Sequence, residues 1–385
     1  MWLIVPIIAC LLDFSGGLFW LAVPLLAASF QAEYYQLGFT GGAAAFGYAI
    51  FCLLSHPLSK RFGKSRLGAF GCLLALLGIV ITNTANTPNE LFFCALFVGS
   101  RYGLLWPVVL GWAGRTWPLG KPLLGLVLYS VAWTIGRLIG TAVCEPLFSS
   151  HQLLPFKYVF FSLLVVLVAI VWVGRHIEDG RPIAYPSLSY GVEITDEFST
   201  LSAQIGNSLR NCVLVICIVF MPGIFEKSSF DKSLINNLFL IYAGGIPAFI
   251  LGFSLFRFLP FRVILWGTKV LTGFGCLGIF FSEKGASIAF WFIFIGLLTG
   301  IAYMSSVFVS VVNQGLTIRH SARHEAGVGI GAFLGPWLGG LCAQFFNSAK
   351  ATFLMAAVLA LMLSFLDFRS VGKWFRSLGL TSYRI

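Results

Sequence analysis

The sequence predicts an all-α membrane protein whose twelve transmembrane helices form two pseudo-symmetric six-helix bundles. Three observations lead there: a charge-poor composition, twelve continuous apolar runs of spanning length, and a weak internal repeat. The chain has 385 residues, 58% of them hydrophobic and only 10% charged, with a mean hydropathy of +0.91. A soluble domain carries about 25% charged residues because its surface must face water. Soluble and disordered readings are therefore excluded. The nine cysteines lie in apolar runs or at the end of one, with no CxxC pair, and act as small apolar side chains rather than disulfide or zinc ligands.

A spanning helix needs about 20 apolar residues to cross a hydrocarbon core of about 30 Å. The runs that qualify are 2–28, 36–56, 67–84, 91–113, 122–146, 155–174, 206–225, 234–257, 263–281, 287–312, 326–346 and 351–367. They are apolar throughout, without the alternation of barrel strands, so helix is the expectation. The first run lacks a basic leader and reads as an uncleaved span. With both termini placed inside, Lys60, Arg61, Lys64, Arg66, Arg115, Lys121, Arg175, Arg181, Arg210, Arg257, Arg262, Arg319 and Arg323 fall on inner loops, and further basic residues on the inner tail. Only Lys157, Lys227, Lys232, Lys284 and Lys350 fall outside. That asymmetry, and the net charge of +11, predict an integral protein of the cell (inner) membrane with both ends cytoplasmic.

The polar stretch 175–205, with Glu178, Asp179, Glu193, Asp196 and Glu197, divides the chain. The expected organisation is a six-helix bundle over 1–174, a cytoplasmic linker over 175–205, a second bundle over 206–367 and a tail over 368–385. The halves repeat weakly. Phe97-Val98-Gly99-Ser100-Arg101-Tyr102-Gly103 aligns with Phe294-Ile295-Gly296-Leu297-Leu298-Thr299-Gly300, and Gly136-Arg137-Leu138-Ile139-Gly140 with Gly335-Pro336-Trp337-Leu338-Gly339. Such duplication is typical of two-lobed transporters.

Between spans 2 and 3 stands His56-Pro57-Leu58-Ser59-Lys60-Arg61-Phe62-Gly63-Lys64-Ser65-Arg66. It resembles the loop signature of the major facilitator superfamily at Leu58, Ser59, Arg61, Phe62, Gly63, Lys64 and Arg66. His56 stands where that family has Gly, and Lys60 where it has Asp, which reverses the charge there. In span 11, Gly331, Gly335, Pro336, Gly339 and Gly340 are similar to the family's antiporter pattern, usually found in span 5; here span 5 has Arg137 in the proline position. Glycines at this spacing let helices approach closely, and proline weakens the ladder so that a helix bends. Arg101 resembles the family's embedded arginine of span 4. The resemblance implies a carrier that works by alternating access, with spans 1 and 4 lining a central cavity.

A charge at bilayer depth costs about 2.5–3.5 kcal/mol even on lenient scales, so it needs a partner or a wet cavity. Asp13 and Arg101 both fall near the midplane, and an Asp13–Arg101 pair is the expectation: a protonation or substrate site, or a static clamp. Arg137 lies further toward the outside with Glu145 two turns on; it binds an anionic substrate, or braces Glu145 or another span. Lys269 lies within snorkelling reach of the inner interface. Trp20, Trp106, Tyr129, Trp133 and Tyr303 are candidate cavity aromatics or packing residues. His320, His324 and Glu325 read as a solvated basic loop, with an i, i+4 metal pair as the alternative.

The expected function is a secondary active transporter of a small solute, proton-coupled on Asp13, with efflux as a candidate direction. It is expected to be a monomer in the lipid bilayer, with no enzymatic activity, cofactor, metal or nucleic-acid partner. No phosphate-cradling GxxxxGK[ST] run is present. The alternative is a non-transporting membrane sensor or assembly protein that retains the fold.

Overall fold

A computed structural model describes residues 3–115, 122–176, 197–227, 238–309 and 318–377. Twelve helices run through them: α1 (Ile4–Ser29), α2 (Tyr34–Phe62), α3 (Lys64–Thr82), α4 (Pro88–Arg115), α5 (Pro122–Ser150), α6 (Leu154–His176), α7 (Glu197–Lys227), α8 (Leu240–Phe258), α9 (Phe261–Phe281), α10 (Gly285–Val307), α11 (Ile318–Phe346) and α12 (Ala351–Ser377). Each expected span coincides with one helix. Eleven are long and apolar enough to cross a membrane; in α8 the shorter apolar stretch Leu240–Leu251 carries that character.

Helix ends follow local chemistry. Glu33 caps α2, with the Gln36 side chain accepting from its backbone N–H at 3.0 Å. That reciprocal arrangement satisfies donors which the first helical turn leaves orphaned. Gly63, at φ +82°, breaks the chain between α2 and α3 in a conformation that costs residues with a Cβ. The residues Leu58 to Phe62, expected in a loop, therefore finish α2, and Lys64 and Arg66 begin α3.

Other boundaries move. α7 begins at Glu197 rather than near 206, and α11 at Ile318 rather than near 326. Most of the polar stretch between the halves, including Glu178, Asp179, Glu193 and Asp196, lies outside the described residues, as do Lys121, Arg181 and Lys232.

The same packing occurs twice. In the first half α1 lies on α5 and α6, α2 on α4, and α3 on α4 and α6. In the second, α7 lies on α11 and α12, α8 on α10, and α9 on α10 and α12. Glycine contacts repeat in the same register. A Cβ on Gly99 would strike the Ala44 carbonyl, and one on Gly296 the Ile241 carbonyl; Gly47 and Leu96 are echoed by Gly244 and Ile293. Each of these residues lies 197 positions from its counterpart. Close helix approach at small residues is what packs helices where lipid supplies no hydrophobic drive.

The halves meet along two seams, α2 on α11 and α5 on α8, which exchange under the same repeat. On the first, Gly38 faces the Pro336 carbonyl, Gly340 the Tyr34 carbonyl, and Gly329 the Ala49 backbone. Large apolar side chains such as Val168, Phe345 and Phe365 stand on the outer face, where a lipid-embedded protein presents them.

Candidate functional site

Between the halves, at mid-length of the helices, lies a cavity of about 620 Å³ including its mouth. Its wall is unusual for a chain with so few charges. Asp13 from α1, Arg137 from α5, Arg210 from α7 and Glu325 from α11 all face it, with Asn211 beside Arg210.

On the first-half wall Arg137 Nη2 donates to Asp13 Oδ1 at 2.6 Å. The expected Asp13–Arg101 pair is not formed. Arg101 is fully buried, donates from Nη2 to the Tyr102 hydroxyl at 2.7 Å, and its Nε and Nη1 have no partner. The pairing goes to α5 because α1 and α5 pack glycine to backbone, Gly17 against the Arg137 carbonyl and Gly136 against the Cys10 carbonyl. Gly16 leaves the space in which the Tyr102 hydroxyl, Asp13 and Arg137 converge. Of the braces expected for Arg137, the one to another span forms, to Asp13 on α1, while Glu145 accepts from the Ser149 hydroxyl at 2.7 Å, away from the cavity wall.

The second-half wall was not legible as such. Arg210, placed among inner-loop cations by its sequence context, sits mid-helix and buried on α7. Its Nε donates to Asn207 Oδ1 at 3.2 Å and its Nη2 to Asn211 Oδ1 at 3.0 Å, and its guanidinium lies 4.7 Å from the Tyr303 ring centroid. Among the described residues no carboxylate pairs with it. Asn207, Arg210 and Asn211 stand at i, i+3 and i+4, which is a helical face; that spacing was the available signal.

Glu325 and His324, expected in a solvated loop, are buried on α11 because that helix starts at Ile318. The Tyr48 hydroxyl of α2 donates to Glu325 Oε2, one half of the molecule to the other. His324 Nδ1 lies 3.1 Å from the Ser306 hydroxyl. Among the described residues no three His, Cys, Asp or Glu side chains group as a metal site. Lys269 does not snorkel either. It is buried, donating to Asp367 Oδ2 at 2.6 Å and to the Ser202 hydroxyl at 2.7 Å, a clamp joining α9, α12 and α7 away from the cavity.

Aromatic rings complete the wall. Trp20, Trp106, Tyr129, Trp133 and Tyr303 all face the cavity, joined by Tyr48, Tyr102 and Tyr242, which the sequence reading passed over. Trp133 lies 5.4 Å from Tyr303 and 5.6 Å from Phe249, so α5, α8 and α10 meet through three rings. Several donors in this wall are unmatched: Trp20 Nε1, Trp133 Nε1 and Arg137 Nε are buried with no hydrogen-bond partner. Each such group costs about 1–3 kcal/mol.

The Major Facilitator Superfamily model matches residues 7–312, most of the chain. The chain belongs to this superfamily.

As a Major Facilitator Superfamily transporter it is an integral, multi-pass membrane protein, and family and fold point away from catalysis. The chain is 22% identical over 393 residues to the "Proton-coupled antiporter flippase LtaA" of Staphylococcus epidermidis, and 24% over 383 residues to the protein of that name from Staphylococcus aureus; each alignment covers 93% of this chain and 91% of the relative. Among solved structures it resembles a point variant of the E. coli fucose:proton symporter FucP, with a TM-score of 0.63, 13% identity, and 96% of this chain and 98% of that one covered. That likeness is one of fold. The α11 glycines are close-contact points: Gly331 against the Ser208 carbonyl, Gly335 against Cys212 and Gly339 beside Phe220 and Thr352 lie within the second half, while Pro336 and Gly340 meet α2 across the seam.

Proposed function

We propose that this superfamily member is a proton-driven secondary transporter that moves a small solute by alternating access, working as a monomer in the cell membrane with both termini cytoplasmic. Residues 1–174 and 206–367 act as the two rocking lobes, and the cavity between them is the solute site. The observation that carries this reading is the Tyr48–Glu325 bond. It puts a carboxyl group on the seam between the lobes and in the wall of the cavity at once, so a proton there changes both the seam and the site.

Asp13 is the second carboxyl group of the coupling machinery. Proton transfer to it releases Arg137, which then is free to meet a solute. The cavity aromatics hold the solute's apolar or flat faces. The names of the relatives support proton coupling, and that of the antiporter flippases supports efflux of an amphipathic solute.

Reconstitution tests the reading. Proteoliposomes with an imposed pH gradient are expected to accumulate or extrude a bound solute, and Asp13→Asn or Glu325→Gln to uncouple movement from the gradient. A protein that binds its ligand yet never moves it against a gradient would instead be a sensor or assembly factor.

A further inference from the structure

Three donors in the wall of the cavity are left without an acceptor, although the carboxyl groups of Asp13 and Glu325 share that wall. Trp20 Nε1, Trp133 Nε1 and Arg137 Nε are buried with no hydrogen bond of good geometry. The Tyr303 hydroxyl lies within reach of the Trp133 side chain and the Tyr242 hydroxyl within reach of Arg137. All three donors belong to residues that face the cavity. An indole N–H and a guanidinium can donate but never accept. Arg210 adds a further cationic donor group to the same wall. Asn207 and Asn211 take its Nε and Nη2, and the Tyr303 ring backs it at 4.7 Å.

The two arginines differ in a way that matters. Arg137 is neutralised by Asp13 at 2.6 Å. Arg210 is hydrogen-bonded to two neutral amides, which orient its fork; Glu325 faces the same cavity and offsets its charge from a distance, without forming an ion pair. Guanidinium held in this way matches planar and tetrahedral oxyanions through paired N–H donors.

We infer that the solute carries an oxyanion, a phosphate or carboxylate, which binds at Arg210 with Trp133 and Trp20 donating to its oxygens. The inference rests on the transport reading for its biological meaning, but binding is measured without transport. The hydroxylated or apolar remainder of the solute lies along the rings of the cavity, where Trp106, Tyr129 and Tyr303 offer flat faces. An oxyanion on a free solute and one on a lipid headgroup present the same chemistry to Arg210.

The test uses the purified full-length protein and three matched six-carbon polyols: sorbitol, gluconate and sorbitol phosphate. Short-chain phosphatidylglycerol supplies the lipid-borne phosphate. Calorimetric titration is expected to show an anion, free or lipid-borne, binding at least about tenfold more tightly than sorbitol, the size of effect a charge-assisted pair supplies. Arg210→Gln should remove that preference, and Arg210→Lys should keep part of it. Binding of phosphatidylglycerol alone identifies a lipid phosphate as the source; binding of the polyol anions identifies a soluble one. Equal affinity for sorbitol and its charged counterparts, no anion binding, or full anion affinity in Arg210→Gln overturns the inference. Should Arg210→Gln fail to fold, Trp133→Phe and Trp20→Phe decide: each removes one donor and keeps a ring, and unchanged anion affinity in both overturns it. Proton-driven movement of a neutral solute with no anion binding sinks this inference and leaves the transport reading standing; anion binding at Arg210 without driven movement does the reverse.

Discussion

The hydroxyl of Tyr48 on α2 donates to the carboxylate of Glu325 on α11, so a single bond crosses from one half of the molecule to the other inside the cavity both halves line. Glu325→Gln retains an acceptor for that hydroxyl but cannot be ionised. The expected outcome is solute exchange close to normal with loss of gradient-driven accumulation, read in proteoliposomes with and without a pH difference. Tyr48→Phe removes the bond and keeps the carboxyl group, so driven movement should persist at an altered rate. Normal driven accumulation by Glu325→Gln would remove Glu325 from the coupling scheme.

Asp13 and Arg137 form a pair buried among helices, and breaking such a pair by removing one partner costs about 3–5 kcal/mol because a charge is left alone. Asp13→Asn and Arg137→Gln should each lower the unfolding temperature, and the double variant should lose less than the two together. A thermal-unfolding double-mutant cycle in detergent measures this. Strict additivity would mean that the two side chains do not interact.

Lys269, Asp367 and Ser202 form a second buried cluster away from the cavity wall. Lys269→Met leaves Asp367 unneutralised and is expected to destabilise the protein by about 3–5 kcal/mol. Replacing both ions with apolar side chains of similar size should restore most of that stability, with transport by the double variant near normal. A specific loss of transport in a well-folded double variant would assign the pair a working role.

Gly16 makes room for the Tyr102 hydroxyl, and a Cβ there would also stand 2.8 Å from Asp13 Oδ1 and 3.0 Å from Arg137 Nη2. Gly16→Ala should cost about 1–3 kcal/mol, as overpacking usually does, and disturb solute binding. Adding Tyr102→Phe, which deletes the obstructing oxygen, should recover part of the loss in a thermal-shift measurement.

Twelve helices were legible because each needs a long apolar run, and a membrane is what imposes that length. Asp13, Arg101 and Arg137 were visible for the converse reason: a charge stands out inside such a run. Their pairing was not, since partners depend on how each helix is rotated, and spans that are apolar on every face hardly encode rotation. Glu325 reads as a loop residue because Arg319, His320, Arg323 and His324 make the first turns of α11 as polar as a loop. Arg210 misleads for a related reason: Asn207, Ser208 and Asn211 look like a helix approach, while the structure uses this segment to furnish a wall.

The 197-residue repeat separates two kinds of residue in this protein. Gly47, Gly99 and their counterparts Gly244 and Gly296 keep both register and residue type in the two halves, whereas the charges do not: Asp13 and Arg210 occupy one repeat position with opposite sign, and Arg137 and Glu325 correspond to Leu334 and Leu128. The packing contacts are thus duplicated, while the charge on the cavity wall differs between the halves. On the proposed transport reading, substitutions on the lining would change which solute is held and leave the duplicated glycine contacts intact, whereas a side chain added at one of those glycines would disturb helix packing whatever the solute.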